Sequence, residues 1–152
     1  MGKRSGKLLA LLCIPTAAIT IGTTVAEAAG GPVAAASGPK PLLVSNCAKA
    51  KFKPANVILT CGDASFGATA MVWSSWTQKN AVGTGTGQVN DCMPNCASGK
   101  TKSAPIQLKP GAPRKCSNGR RIFTKVKYTW LKEVPQGQPA TGSIPLGCKL
   151  FP

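Results

Sequence analysis

The alternation of apolar and polar positions is clearest between residues 121 and 130. In an extended chain, successive side chains point to opposite faces. One face of this segment would carry apolar, aromatic or β-branched side chains, namely Ile122, Thr124, Val126, Tyr128 and Trp130. The two-residue period predicts a half-buried antiparallel strand. The Asn-Gly pair at 118–119 comes just before it and is a strong turn signal.

Four other short β-branched or aromatic runs between turn residues predict strands at 57–61, 68–76, 82–89 and 104–109. No long apolar stripe of helical period occurs without Gly or Pro. The predicted fold is therefore mainly β: a small, disulfide-stapled antiparallel β-sandwich or open barrel of about five to seven strands.

The first 28 residues have the pattern of a secretion signal. Residues 1–7 carry three basic side chains, residues 8–25 are uncharged and mostly apolar, and Ala26-Glu27-Ala28 offers small residues for cleavage. The alternative is a retained membrane anchor, which Pro15 and Gly22 weaken. Residues 29–46 are rich in Ala, Gly, Pro and Ser and predict a flexible leader. The disulfide-stapled β domain is then expected at 47–150.

The charge is strongly one-sided. The chain of 152 residues has 19 Lys and Arg against 4 Asp and Glu, a net charge of +15, and no histidine. Removal of residues 1–28 would leave 16 basic and 3 acidic residues, a net charge of +13. Without histidine, Ser-His and Cys-His nucleophiles and histidine metal ligands are excluded. No cofactor and no metal are expected.

Cysteine usage agrees with export. Of 7 cysteines, Cys13 lies within the predicted signal, which leaves an even set: Cys47, Cys61, Cys92, Cys96, Cys116 and Cys148. An even set in an exported chain predicts disulfides rather than a zinc site. The expected pairs are Cys47–Cys148, which would clamp the ends, then Cys61–Cys92 and Cys96–Cys116. A bridge within 92–96 remains the alternative.

Two carboxylates are candidates for catalysis. A Cys61–Cys92 bridge would bring Asp63 near Asp91, as an acid/base pair of a hydrolase. The favoured alternative is that both are turn residues that accept backbone N–H bonds. Because no nucleophile accompanies them, the chain is not expected to be an enzyme.

The basic residues form two alternating segments. Lys49, Lys51 and Lys53 would share one face if extended, and Arg121, Lys125 and Lys127 would share another with Phe123. The alternative is that these lysines only protect sheet edges from aggregation, which would explain single positions. It does not explain the large excess of basic over acidic residues, because ordinary surfaces mix both signs of charge. The predicted anion-binding residues are Arg121, Lys125, Lys127, Arg120, Lys115 and Lys51, with Phe123 as the aromatic partner.

Two further motifs bear on the core. Trp73 and Trp76 would lie on opposite faces of a regular strand, which would expose one of them; the favoured alternative is that all three tryptophans are buried. The Gly-Thr repeat at 83–87 lacks the lysine and helix of a phosphate-binding loop. Its glycines instead predict a flat strand face on which Trp73 or Trp76 packs.

The ordered motifs between Cys61 and Trp130 resemble small secreted proteins of actinobacteria, a group without an assigned function. They comprise CGD at 61–63, WSSW at 73–76, the Gly-Thr repeat, NDCMPNCASG at 90–99 and GRRIFT at 119–124. The resemblance implies export and a disulfide-stapled domain, but it does not identify any catalytic residues.

These observations predict an exported, non-enzymatic binding domain with a basic surface. Its ligands would be anionic polymers or surfaces: cell-wall polymers, lipid head groups, polysaccharide or nucleic acid. The alternative is a secreted protein-binding module, such as a hydrolase inhibitor or host-facing effector, that uses the loop at 91–99. A monomer, secreted or associated with the cell wall, is expected in either case.

Overall fold

The computed structural model describes residues 38–148. The predicted signal peptide at 1–28, the first part of the predicted leader and residues 149–150 lie outside the described residues. Residues 38–148 form eight strands and contain no helix. The strands are β1 (Leu43–Val44), β2 (Ala50–Lys51), β3 (Val57–Ile58), β4 (Phe66–Trp76), β5 (Ala81–Asn90), β6 (Thr101–Lys115), β7 (Arg121–Trp130) and β8 (Thr141–Pro145).

Strands β3 to β8 form one antiparallel sheet in which each strand pairs with its neighbour in the chain. The sheet curls into a half-barrel, and β1 and β2 form a separate two-stranded sheet. The prediction of a mainly β, disulfide-stapled antiparallel fold is confirmed. Short connections favour this order, because antiparallel neighbours need only tight turns.

The segment before Cys47 joins the start of β7, which β8 does not pair, to the first strand of the sheet, β3. Leu42 donates to Arg121 O (2.8 Å) and accepts from Phe123 N (2.9 Å). At the other end, Ile58 N donates to Ser45 O (2.8 Å). Pro41, Leu43 and Val44 are buried. The predicted leader of 29–46 is therefore wrong at its C-terminal end, since this part of the chain completes the core.

All three tryptophans are buried, which confirms the favoured alternative for them. A register shift between Trp73 and Ser75 breaks the alternation of β4. Trp73 and Trp76 therefore share one face, and their ring centroids lie 4.8 Å apart. The indole nitrogens donate to Pro54 O and Pro41 O, each at 2.8 Å. The expectation of opposite faces is wrong because it assumed a regular strand.

The predicted glycine face of β5 is confirmed, because tryptophan rings pack directly against its backbone. A Cβ atom at Gly83 would lie 2.5 Å from Trp73 Cε3. One at Gly87 would overlap the ring of Trp130. A side chain at either position would displace a buried indole, so the glycines set how closely the rings approach the backbone.

Residues 38–148 contain three disulfides: Cys47–Cys61, Cys92–Cys96 and Cys116–Cys148. The expected pairs are wrong; the alternative bridge within 92–96 is present. The bond between Ser45 and Ile58 brings the chain around Cys61 back to Cys47. Because β8 runs antiparallel to β7, the chain after it returns toward the β6–β7 turn, where Cys116 meets Cys148.

Candidate anion-binding site

Four lysines line an open groove of about 400 Å³ along strands β5, β6 and β7. We call this the lysine groove; it is lined by Lys79, Lys109, Lys125 and Lys127. All four side chains are exposed. Small and apolar residues, among them Val82, Pro110, Gly111 and Ala112, complete the lining. The groove therefore presents ammonium groups around an apolar floor.

The register of β6 and β7 sets the lysine positions. Lys127 pairs directly with Lys109, and Lys125 pairs with Gly111. Directly opposite residues on one face have Cβ atoms about 5 Å apart, and like charges placed there are destabilising. The neighbouring positions Leu108 and Val126 are buried, so the lysines are held on the outer face by the packing of the inner one.

Lys79 reaches the groove from the β4–β5 turn. Thr77 Oγ1 accepts from Lys79 N (3.2 Å) and Asn80 N (3.0 Å). It also donates to Asn80 O (2.8 Å). Neither Lys79 nor Lys109 belongs to the sequence-predicted site. Lys109 ends the predicted strand at 104–109 and could have been found from its alternation, whereas no sequence pattern pointed to Lys79.

Carboxylates do not neutralise the groove among the described residues. The one salt bridge within residues 38–148 joins Lys102 to Asp91, at 3.8 Å. Lys102 lies near the start of β6, at the end of the sheet far from Lys109. The four lysines therefore line one groove, and none of them forms a salt bridge with a carboxylate of residues 38–148.

Five of the six predicted basic residues lie on the β6–β7 hairpin. Lys115 pairs directly with Arg121, a second like-charged cross-strand pair, and Arg120 is exposed in the turn. Arg121 donates to Gln78 Oε1 at 2.7 Å. Lys51 lies apart, on β2, where it pairs with Leu43. The hairpin thus extends the basic surface from the lysine groove to its own turn.

The prediction of Phe123 as the aromatic partner is wrong. Its side chain has 0% exposure, and its ring centroid lies 5.4 Å from that of Trp76 in the core. Alternation fails here because both faces of β7 are covered at this end. Ile122 packs beneath Val44 and Cys116, while Phe123 joins the main core. Among residues 38–148, the exposed aromatic ring is that of Phe52.

The two candidate carboxylates act as turn acceptors. Asp63 accepts from Ser65 N at 3.0 Å, and this backbone bond lowers the pKa of Asp63. Asp91 accepts from Lys100 N at 2.8 Å and from Met93 N at 3.2 Å. These bonds, with Lys102 a smaller cause, lower the pKa of Asp91. The Cys61–Cys92 bridge that motivated an acid/base pair is not formed, because Cys61 binds Cys47.

Residues 38–148 hold no group of three or more His, Cys, Asp or Glu placed to bind a metal ion. Nor do they include a helix long and apolar enough to cross a membrane. Comparisons with models of protein families, with curated proteins and with solved structures find no match for this chain.

Proposed function

We propose that the chain is an exported, non-enzymatic domain that binds anionic polymers or surfaces, and that the lysine groove is its contact site. The observation that carries the proposal is the direct pairing of Lys109 with Lys127, beside Lys125 and Lys79. Such a pairing costs stability in the free protein. An anion placed between the ammonium groups would reverse that cost.

The groove's chemistry suits charge recognition more than shape recognition. Its charged residues are lysines, which act as point charges and lack the bidentate fork of arginine. Within residues 38–148, its lining contains no aromatic ring on which a base could stack. We infer that it contacts phosphate, sulfate or carboxylate groups along a polymer. The excess of basic residues would raise the rate of encounter.

Three disulfides support the proposed export, because such bridges persist in oxidising compartments. The predicted signal at 1–28 and the resemblance to small secreted actinobacterial proteins point the same way. Secretion, with or without attachment to the cell wall, is part of the proposal.

The test uses fluorescein-labelled inorganic polyphosphate as the probe. We expect Lys125→Gln/Lys127→Gln to weaken its binding about tenfold or more. The slope of log Kd against log salt should fall by about 1.4 to 1.8, since each of the two lost phosphate contacts removes about 0.7 to 0.9. Fluorescence anisotropy between 50 and 300 mM salt measures both, and loss of stability is not expected because the substitutions relieve repulsion.

Two further variants separate the groove from total charge. Lys100→Gln/Lys132→Gln removes the same charge from exposed sites outside the groove and should change Kd little. Gly111→Leu keeps every charge; a Cβ there meets nothing within 4 Å, so the new side chain fills the groove. It should weaken binding as well. Equal losses of affinity in both double variants, with no effect of Gly111→Leu, would show that binding depends on total charge and not on the groove.

A second function is favoured by one loop. Met93 is 72% exposed on a turn closed by Cys92–Cys96, and Asn90 Nδ2 donates to Cys96 O at 2.9 Å. An exposed apolar side chain on a turn constrained by a disulfide suits a protein-binding module such as a hydrolase inhibitor or host-facing effector. If so, the chain should inhibit one of a panel of secreted proteases, and Met93→Ala should abolish inhibition while Lys125→Gln does not. No inhibition across the panel would leave this alternative without support.

A further inference from the structure

We propose that the chain has a second contact surface, centred on Phe52, that docks onto anionic lipid head groups. We call it the Phe52 patch: Phe52 with Lys40, Lys49, Lys51 and Lys53. It shares the premise of an anionic ligand with the proposed function but uses none of the groove residues. Different variants therefore test the Phe52 patch and the lysine groove.

The aromatic ring of the patch is exposed and firmly held. Phe52 is 48% exposed, and its ring meets Trp76 edge to face at 5.2 Å between centroids. Trp76 is itself buried. Its Nε1 donates a hydrogen bond to Pro41 O at 2.8 Å, and its ring packs on Phe123. Phe52 lies within the loop that the Cys47–Cys61 bridge closes, and Lys49 N donates to Asn46 Oδ1 at 2.9 Å in the same loop. An apolar ring is thus presented in a set position, which lowers the entropy lost on docking.

Cations surround this ring. The Nζ atoms of Lys40 and Lys53 each lie 5.8 Å from the Phe52 centroid. Lys49 and Lys51 are exposed on the same stretch, and no acidic residue occurs from 38 to 62. Leu131 offers a contrast: it is 47% exposed, but Lys132 and Glu133 follow it and leave no net charge there. The patch combines exposed apolar area with charge of one sign.

A lipid surface fits this combination better than a stacked base. Lysines above the ring occupy the space that a stacking base would take. At an anionic bilayer the same lysines extend to the phosphates while the ring enters the boundary between head groups and acyl chains. Each lysine near such a surface strengthens attraction, and the attraction weakens with salt.

The test is co-sedimentation of the full chain with vesicles of phosphatidylglycerol and phosphatidylcholine in equal amounts. Vesicles of phosphatidylcholine alone set the baseline, which includes any contribution of the apolar residues 8–25. We expect Phe52→Ala to lower the partition coefficient on anionic vesicles about tenfold. Lys40→Gln/Lys53→Gln should lower it about 25-fold. Phe52→Leu, which keeps an apolar side chain, should retain most of the binding.

The controls decide between the patch, the groove and simple hydrophobicity. Leu131→Ala removes an equally exposed apolar side chain and should leave binding unchanged, and Lys125→Gln/Lys127→Gln should change it less than threefold. Wild-type binding by Phe52→Ala, or an equal loss in Leu131→Ala, would overturn the inference. If the groove variant loses lipid binding and the patch variants keep it, the lipid is a ligand of the groove: that result overturns the inference and supports the proposed function.

Discussion

Replacement of Phe123 by alanine should lower the free energy of unfolding by about 3 to 5 kcal/mol, the range for truncating a fully buried aromatic ring. Phe123 has 0% exposure and packs against Trp76, which also anchors the chain through Pro41. A cavity at this point would weaken the contacts of β4 with β7 and with the segment at residues 41–45. Urea denaturation followed by tryptophan fluorescence measures the change.

Two further variants test whether the loss of stability comes from the burial of the Phe123 ring. Phe52→Ala truncates the same residue type, also in contact with Trp76, but at 48% exposure its cost should be only about 1 kcal/mol. Phe123→Leu keeps most of the buried volume and should bind polyphosphate like the wild type. Reduced polyphosphate affinity in a fully folded Phe123→Leu protein would restore Phe123 as a ligand contact and contradict the structure.

Removal of the Cys116–Cys148 bridge should have the second large effect. The serine double variant should lose about 3 to 4 kcal/mol of unfolding free energy, because the bridge closes a long loop and restricts the unfolded chain. The matched variant at Cys92 and Cys96 should lose only about 2 kcal/mol. The two bridges span 32 and 4 positions respectively. Denaturant titration under non-reducing conditions ranks the two variants.

Single substitutions test the pairing itself. Cys116→Ser should free the thiol of Cys148, which iodoacetamide then labels and peptide mapping locates, whereas Cys148 of the wild type is not labelled. Under the pairing expected from the sequence, the free thiol would instead be Cys96. Labelling at Cys96, or the larger stability loss in the Cys92 and Cys96 variant, would contradict the disulfide map described above.

The long strands were predictable because their burial alternates locally. The prediction at 121–130 matches β7, and those at 68–76 and 82–89 fall within one or two residues of β4 and β5. Strand β6 runs on to Lys115 through Pro110, Gly111 and Pro113, residues that interrupt any strand pattern. Strand β8 buries none of its five residues fully and carries no apolar face that a sequence pattern could reveal.

Local alternation predicts some residues of the candidate site, whereas others are brought there only by the register between strands. Alternation along β7 placed Lys125 and Lys127 on its polar face, but the partner Lys109 depends on the β6–β7 register. Lys79 depends on the turn that ends beside that hairpin. Phe123 failed as a site residue because both faces of β7 are covered at this end: Phe123 packs on Trp76 in the main core, and Leu42 packs with Ile122 in the second cluster.

The sequence by itself determined the chemical character of this protein: a β fold, an even set of six cysteines after the predicted signal, no histidine, and a large excess of basic residues. These are properties of composition and of two-residue periodicity, which act over a few neighbouring positions. The tertiary structure alone decided which cysteines pair, which aromatic ring is exposed, and which lysines face one another. Each of those depends on residues far apart in the chain, which only strand register and the closure of the sheet by residues 41–45 bring together.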